Sequence, residues 1–210
     1  MKRVFVNLLM KIPFIRQYVG FRKTIINRVP LKNYLEYMLF GSQGGVKGVY
    51  WPVHKNSEVT HPDKIYVGIN SNPGTRPGCY LQGNGGIYIG NYVQFASNIG
   101  IISANHDIYD QSKHVGKKVI INDYCWIGQG AIILPGVELG PRTIVGAGAV
   151  VTKSFPDGYC VIAGNPAKLI KELDKNQFYA NTIAEEYYGF IPRDKFVKQG
   201  KCFNEKKKFP

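Results

Sequence analysis

From Ile121 onward the chain can be set out in sixes: INDYCW, IGQGAI, ILPGVE, LGPRTI, VGAGAV and VTKSFP. An aliphatic residue opens every block. The fifth place is taken by Cys125, Ala131, Val137, Thr143, Ala149 and Phe155, all but the last small or β-branched. Upstream, IGNYVQ and FASNIG keep the same phase, and Val53, Val59 and Ile65 fall on the same grid, whereas Ser71, Pro77 and Gly83 do not. A strand alternates with period two over a longer stretch, and an amphipathic helix spaces its apolar residues three and four apart. Six fits neither. It fits a flat-sided coil in which each block is one short strand plus one turn, with the large opener and the smaller fifth residue facing inward and parallel strands stacking from coil to coil. The pattern predicts an all-β-dominated parallel β-helix over residues 51–165.

The period breaks in one place. Ile101 to Ile121 spans twenty positions, three sixes plus two, and the intervening HDIYDQSKHVGKK reads as a loop over residues 104–118 that leaves the prism and rejoins it out of phase. Loops projecting from a regular scaffold are where function concentrates, and His106 stands at the root of this one. Imidazole has the side-chain pKa nearest neutrality, which suits a general base. His54, His61 and His114 have no comparable context and read as surface residues, and no triplet of histidines offers a zinc site. Cys125 occupies an inward fifth place, where a buried thiol is inert. Ser103 lies near His106 without a recognisable oxyanion motif. What orients His106 is left open: Asp107 is adjacent and in extended chain faces the other way, so a carboxylate or backbone carbonyl of a neighbouring coil is the alternative.

Four stretches, SANHDIYD, VIINDYCWIGQGAIILPGV, IVGAGAVVTK and AGNPAKLIKEL, taken in that order, resemble the hexapeptide-repeat acyltransferases, and within them the branch of maltose, galactoside and capsular polysaccharide O-acetyltransferases. The resemblance covers about Ile65 to Leu173. It implies a left-handed coil, an exception to the usual right-handed crossover, and a homotrimer with active sites between subunits. It also implies acetyl-CoA as donor, a saccharide hydroxyl of a cell-surface or capsular polysaccharide or its precursor as acceptor, and direct transfer with His106 as base. The positions that match the family's donor channel are Trp126, Gly128, Ala147, Thr152 and Lys153, with Lys168 and Lys171 beyond them placed to meet coenzyme A phosphates. Gln129 stands where several relatives carry a small hydroxyl residue. PGTRPGCYLQGNGGIYIG resembles an insertion in a subset of surface-polysaccharide acetyltransferases, which makes Arg76, Tyr80, Gln82 and Asn84 candidates for binding sugar hydroxyls or, equally, for stabilising the loop. No metal is expected. Transfer to an amine, such as an amino-sugar, is the second reading, and a non-catalytic β-helix scaffold the third.

Composition changes this picture only at the edges. At 210 residues with 44% hydrophobic residues, the chain suits one globular core. Cys79, Cys125, Cys160 and Cys202 are widely spread, without the spacing of a zinc site or disulfide framework, which fits a reducing cytoplasm. The formal net charge is +13, concentrated at the ends: residues 1–40 hold eight Lys/Arg against one acid, and residues 166–210 ten against six. With no nucleic-acid-binding motif beside it, this charge points to acidic substrates or, through a basic helical segment over 1–50 broken at Pro13 and Pro30, to weak peripheral contact with an anionic membrane's inner face. The N-terminus shows no signal-peptide cleavage pattern and no uncharged stretch of membrane-spanning length. Residues 166–210 are expected to form a C-terminal helix and tail that clasp a coil end or interface.

Overall fold

The computed structural model describes residues 30–43, 46–179 and 186–198, together with residues 12, 15, 18 and 19. Three parallel sheets form the faces of a prism, and the chain visits them in rotation. The first face carries Glu58–Thr60, Tyr80–Gln82, Gly100–Ile102, Ile132–Ile133 and Val150–Val151. The second carries Ile65–Val67, Ile87–Ile89, Val119–Ile121 and Glu138–Leu139. The third carries Gln94–Phe95, Trp126–Ile127, Ile144–Val145 and Cys160–Ala163, and Lys168–Glu172 closes it antiparallel to the last of these.

The six-residue grid becomes the core. Ile121, Ile127, Ile133, Leu139 and Val151 are wholly buried and Val145 nearly so; the fifth-place residues Cys125, Ala131, Val137, Thr143 and Ala149 are buried beside them. Alternating large and small inward residues let three faces meet without voids, and each full burial of a branched aliphatic side chain contributes about 1.5–3 kcal/mol. Phe155, the large exception, is half-buried and marks the fading of the pattern.

Corners need a backbone that turns sharply, and most corners carry one residue at positive φ. On the corner between the second and third faces several of these are tyrosines, among them Tyr92 (φ 57) and Tyr124 (φ 60). A non-glycine residue there costs about 1–2 kcal/mol. The rings offset part of this by stacking in a ladder, with centroids 5.1 Å apart and planes 5° from parallel, and the Arg142 guanidinium extends the ladder 4.5 Å from the Tyr124 ring.

Described segments from the N-terminal and C-terminal parts of the chain, 31–40 and 186–198, meet at the first coil. Helix α1 (Leu31–Phe40) follows Pro30 and stops at Gly41, a left-handed cap (φ 60). Tyr34 and Tyr37 of α1 pack on Phe190, with ring centroids 5.8 and 4.9 Å away. Helix α2 (Arg193–Lys198) lays Phe196 on Tyr188, 4.1 Å between centroids. The rest of the basic N-terminal segment expected to be helical lies mostly outside the described residues. Beyond Pro166 the expected helix differs: the chain first forms the strand Lys168–Glu172, and among the described residues this is followed by a short 3-10 turn at Lys175–Gln177 and then by α2. Among the described residues no helix is long and apolar enough to cross a membrane.

Candidate active site

Along the third face, strands of successive uninterrupted coils are eighteen residues apart, as Trp126 and Ile144 are; across the break the step is thirty-two, from Gln94 to Trp126. The difference of fourteen residues is a β-hairpin. Ala104–His106 pairs antiparallel with His114–Gly116, standing out from the corner between the first and second faces. The interruption is therefore an ordered two-stranded arm. Its turn is built by short polar side chains: the Asp107 carboxylate accepts from the Tyr109 and Asp110 N–H groups at 2.9 and 3.0 Å. Asp110 accepts from the Ser112 N–H and hydroxyl at 3.1 and 2.6 Å and pairs with Lys113 at 2.9 Å. Those bonds hold the Asp110 carboxyl below the ordinary carboxylate range, the Ser112 hydroxyl contributing most.

The arm's root is fixed by buried polar groups. Ser103 is fully buried; its hydroxyl donates to the Gln82 carbonyl at 2.5 Å and accepts from the Gly85 N–H at 2.9 Å, while its carbonyl accepts from the Lys117 N–H at 2.8 Å. The Gln82 side chain accepts from the Ala104 N–H at 2.8 Å. Gly85 must be glycine on steric grounds: a Cβ there would lie 2.0 Å from the Ser103 carbonyl oxygen and 2.6 Å from the Lys117 nitrogen.

His106 sits two residues out from this root and is exposed. Its Nδ1 lies 2.6 Å from the Gln111 carbonyl oxygen. A carbonyl only accepts, so Nδ1 carries the proton and, in the neutral ring, Nε2 carries the lone pair. The group that meets Nδ1 is thus a backbone carbonyl of the arm itself. The sequence left this partner open, because backbone carbonyls leave no sequence signature. His114, read from sequence as a surface residue of no context, is exposed and stands directly opposite His106, with ring centroids 4.3 Å apart. The Asp/Ser turn residues were the signal that could have placed it.

The other candidate residues divide between corners. Thr152 and Lys153 follow the strand Val150–Val151 and lie on the corner that bears the arm; Lys153 also approaches the Phe155 ring, 5.6 Å from its centroid. Trp126, 54% exposed, lies on the third face, and Gly128 and Ala147 on the corner between the third and first faces. At Gly128 a Cβ would come within 2.6 Å of the Val145 carbonyl oxygen, so these coils stack backbone to backbone. Exposed Lys168 and Lys171 pair with Ala163 and Val161 on the edge strand of the third face. In one chain the first face separates the His106 corner from the Trp126–Ala147 group.

The acceptor candidates also split. Gln82 is engaged in holding the arm, and Asn84 lies beside it on the same corner. Tyr80 is half-buried on the first face. Arg76 is exposed in the 68–79 loop, whose Pro77 carbonyl accepts from Asn98 on the far corner. Cys125 cannot act as a nucleophile, because burial pushes its thiol up to about 12. Among the described residues no three of His, Cys, Asp or Glu converge as metal ligands would.

A three-faced parallel β-helix bearing a histidine-carrying arm at one corner defines a recognisable class of protein, and sequence comparison agrees with it. Residues 118–153 match the family described as bacterial transferase hexapeptide (six repeats). A maltose O-acetyltransferase structure from Clostridium difficile 630 is 30% identical, with a TM-score of 0.55, over 77% of this chain and 89% of that one. The galactoside O-acetyltransferase of Lactococcus lactis subsp. lactis (strain IL1403) is 36% identical over 96 residues, 44% of this chain and 46% of that protein. That of Escherichia coli (strain K12) is 32% identical over 98 residues, 44% and 48% of the two. The matched segments thus span about half the length of these two relatives. The chain belongs to the hexapeptide-repeat acyltransferase family.

Proposed function

We propose that the protein is an acetyl-CoA-dependent O-acetyltransferase acting on a saccharide hydroxyl of a surface or capsular polysaccharide or its precursor, with His106 as general base. The observation that carries this reading is the tautomer imposed on His106: the Gln111 carbonyl takes Nδ1, which leaves the lone pair of this exposed residue's neutral ring on Nε2. Nε2 accepts the proton of the acceptor hydroxyl as its oxygen attacks the thioester carbonyl, and the protonated ring then returns a proton to the leaving thiolate. Direct transfer needs no nucleophile from the chain, in keeping with the raised pKa of Cys125. The coil is left-handed in this reading, as in the resembled family.

The donor would lie along the corner of Gly128 and Ala147, where closely stacked backbone and exposed small residues leave room for a thin arm. Trp126 flanks it, and Lys168 and Lys171 reach its phosphates. Thr152 and Lys153 approach it from the arm's corner. Because the first face separates the two groups within one chain, the site is completed between subunits of a homotrimer. Apolar residues facing outward on the third face (Trp126, Ile144, Val161) and at the arm's tip (Ile108 and Tyr109, 82% and 92% exposed) support that packing. Arg76, Tyr80 and Asn84 remain candidates for the acceptor side. Buried free thiols at Cys79, Cys125 and Cys160 fit a cytoplasmic setting. The exposed Leu39 and Phe40 of α1, beside the basic N-terminal sequence, support a peripheral membrane contact.

The test is release of free thiol from acetyl-CoA with a panel of galactosides, maltose, oligosaccharides and amino-sugars. Hydroxyl acetylation that disappears in His106→Ala sustains the reading. Preference for an amino-sugar moves the acceptor to an amine. No turnover with any of them leaves the scaffold.

A further inference from the structure

His114 is eight residues from His106 in sequence and its direct cross-strand partner in the arm. Such partners project to the same side of a two-stranded ribbon, and the rings touch, with centroids 4.3 Å apart and planes inclined at 44°. The neighbouring carboxylates are engaged elsewhere: Asp107 with the turn N–H groups of Tyr109 and Asp110, and Asp110 with Ser112 and Lys113. His106 is exposed, so the bond from Nδ1 to the Gln111 carbonyl competes with water, and a lone solvent-facing hydrogen bond holds a side chain only weakly.

We propose that His114 is a positioning residue for His106: its ring is the wall that keeps the His106 imidazole in the rotamer that reaches the Gln111 carbonyl, fixing the tautomer with Nε2 unprotonated. The inference rests on the reading of His106 as base for its effect on turnover, but its structural half can be read without turnover. Taking away the wall frees the ring to swing from the carbonyl. The Nδ1–H tautomer is then no longer enforced, and the lone pair is no longer aimed at one place. A misdirected base costs rate far more than it costs substrate affinity.

The experiment compares wild type, His114→Ala, His114→Phe and His106→Ala by kcat and KM for acetyl-CoA with the best acceptor found, by melting temperature, and by nitrogen-15 spectra of histidine-labelled protein. His114→Ala is expected to lower kcat about ten- to hundred-fold with KM for acetyl-CoA and melting temperature little changed, and to lose the uniform Nδ1–H signature of His106. His114→Phe, which keeps a ring at the site, restores most of both. If His114→Ala keeps wild-type kcat and tautomer while His106→Ala is inactive, the inference is overturned and the base assignment stands. If His114→Phe is as damaged as His114→Ala, the wall is overturned. If His106→Ala retains turnover, the base assignment fails, and a lost tautomer in His114→Ala still sustains the positioning role.

Discussion

The coil from Val119 to Val151 and the arm from Ala104 to Gly116 are neighbours in one chain built on opposite principles. In the coil, inward residues are buried and the strands inside each face are laddered to strands above and below them. In the arm only Ala104 is buried, the two strands pair with each other alone, and the turn is held by carboxylates and hydroxyls. Stability belongs to the first and the candidate chemistry to the second. Ser103 and Gly85 form the joint between them. In the proposed role of His106 as base, a small appendage on a stiff scaffold would let its ring be exposed and still aimed, with no need for the scaffold to open.

Substitutions on either side of the joint should therefore move different observables. The largest effect is expected from His106→Ala, with turnover falling about a hundred- to ten-thousand-fold and the melting temperature nearly unchanged; a parallel loss of stability would mean that arm and coil are not separable. Next comes Ile127→Ala in the core, expected to lower unfolding free energy by about 2–5 kcal/mol, read from the denaturant midpoint, with the kcat of the protein that remains folded largely preserved.

Gly85→Ala strikes the joint. Its Cβ would press on the Ser103 carbonyl and Lys117 nitrogen, and the forced shift should cost about 1–3 kcal/mol while also lowering kcat, so one substitution should disturb both observables. The coil also carries a pH signature. Burial raises Cys125 from 9.0 to about 12 in the folded chain, so the neutral thiol is favoured by folding. Its contribution is full below pH 9 and declines as pH rises toward 12. Cys125→Ala should flatten that part of the stability profile, measured by urea unfolding between pH 8 and about 10.5. The smallest effect is expected at Tyr109→Ser, within about 0.5 kcal/mol of wild type in monomer stability. Sedimentation should show whether the proposed trimer loosens, and a trimer unchanged by the substitution would take the arm's tip out of that interface.

The coil was readable because its inward residues repeat at a period no helix or ordinary strand produces, and because the large opener and small fifth place mirror a three-sided cross-section. Where the repeat stopped, the position of the arm could be read as well. The arm's internal register could not. It depends on how Asp107 and Asp110 close the turn, so the juxtaposition of His106 and His114 stayed hidden, as did the Gln111 carbonyl. For Gln82 the sequence left sugar binding and loop support equally open, because a side-chain amide looks alike whether it meets substrate or the Ala104 N–H. Residues 166–210 read as helix and tail, yet Lys168–Glu172 is a strand, because it pairs with Cys160–Ala163 at the end of the third face, and such pairing overrides local preference.

That last strand bears on how the molecule keeps company with its own kind. A stack of parallel coils has no built-in final turn, and each bare end would accept another stack in the same direction, as fibres do. On the third face the series ends in Lys168–Glu172, which runs against the strands before it and exposes all five of its residues, two of them lysines. A second coil arriving there would meet a reversed ladder and positive charge, so on this face lengthwise polymerisation is discouraged, and molecules can crowd together without joining end to end.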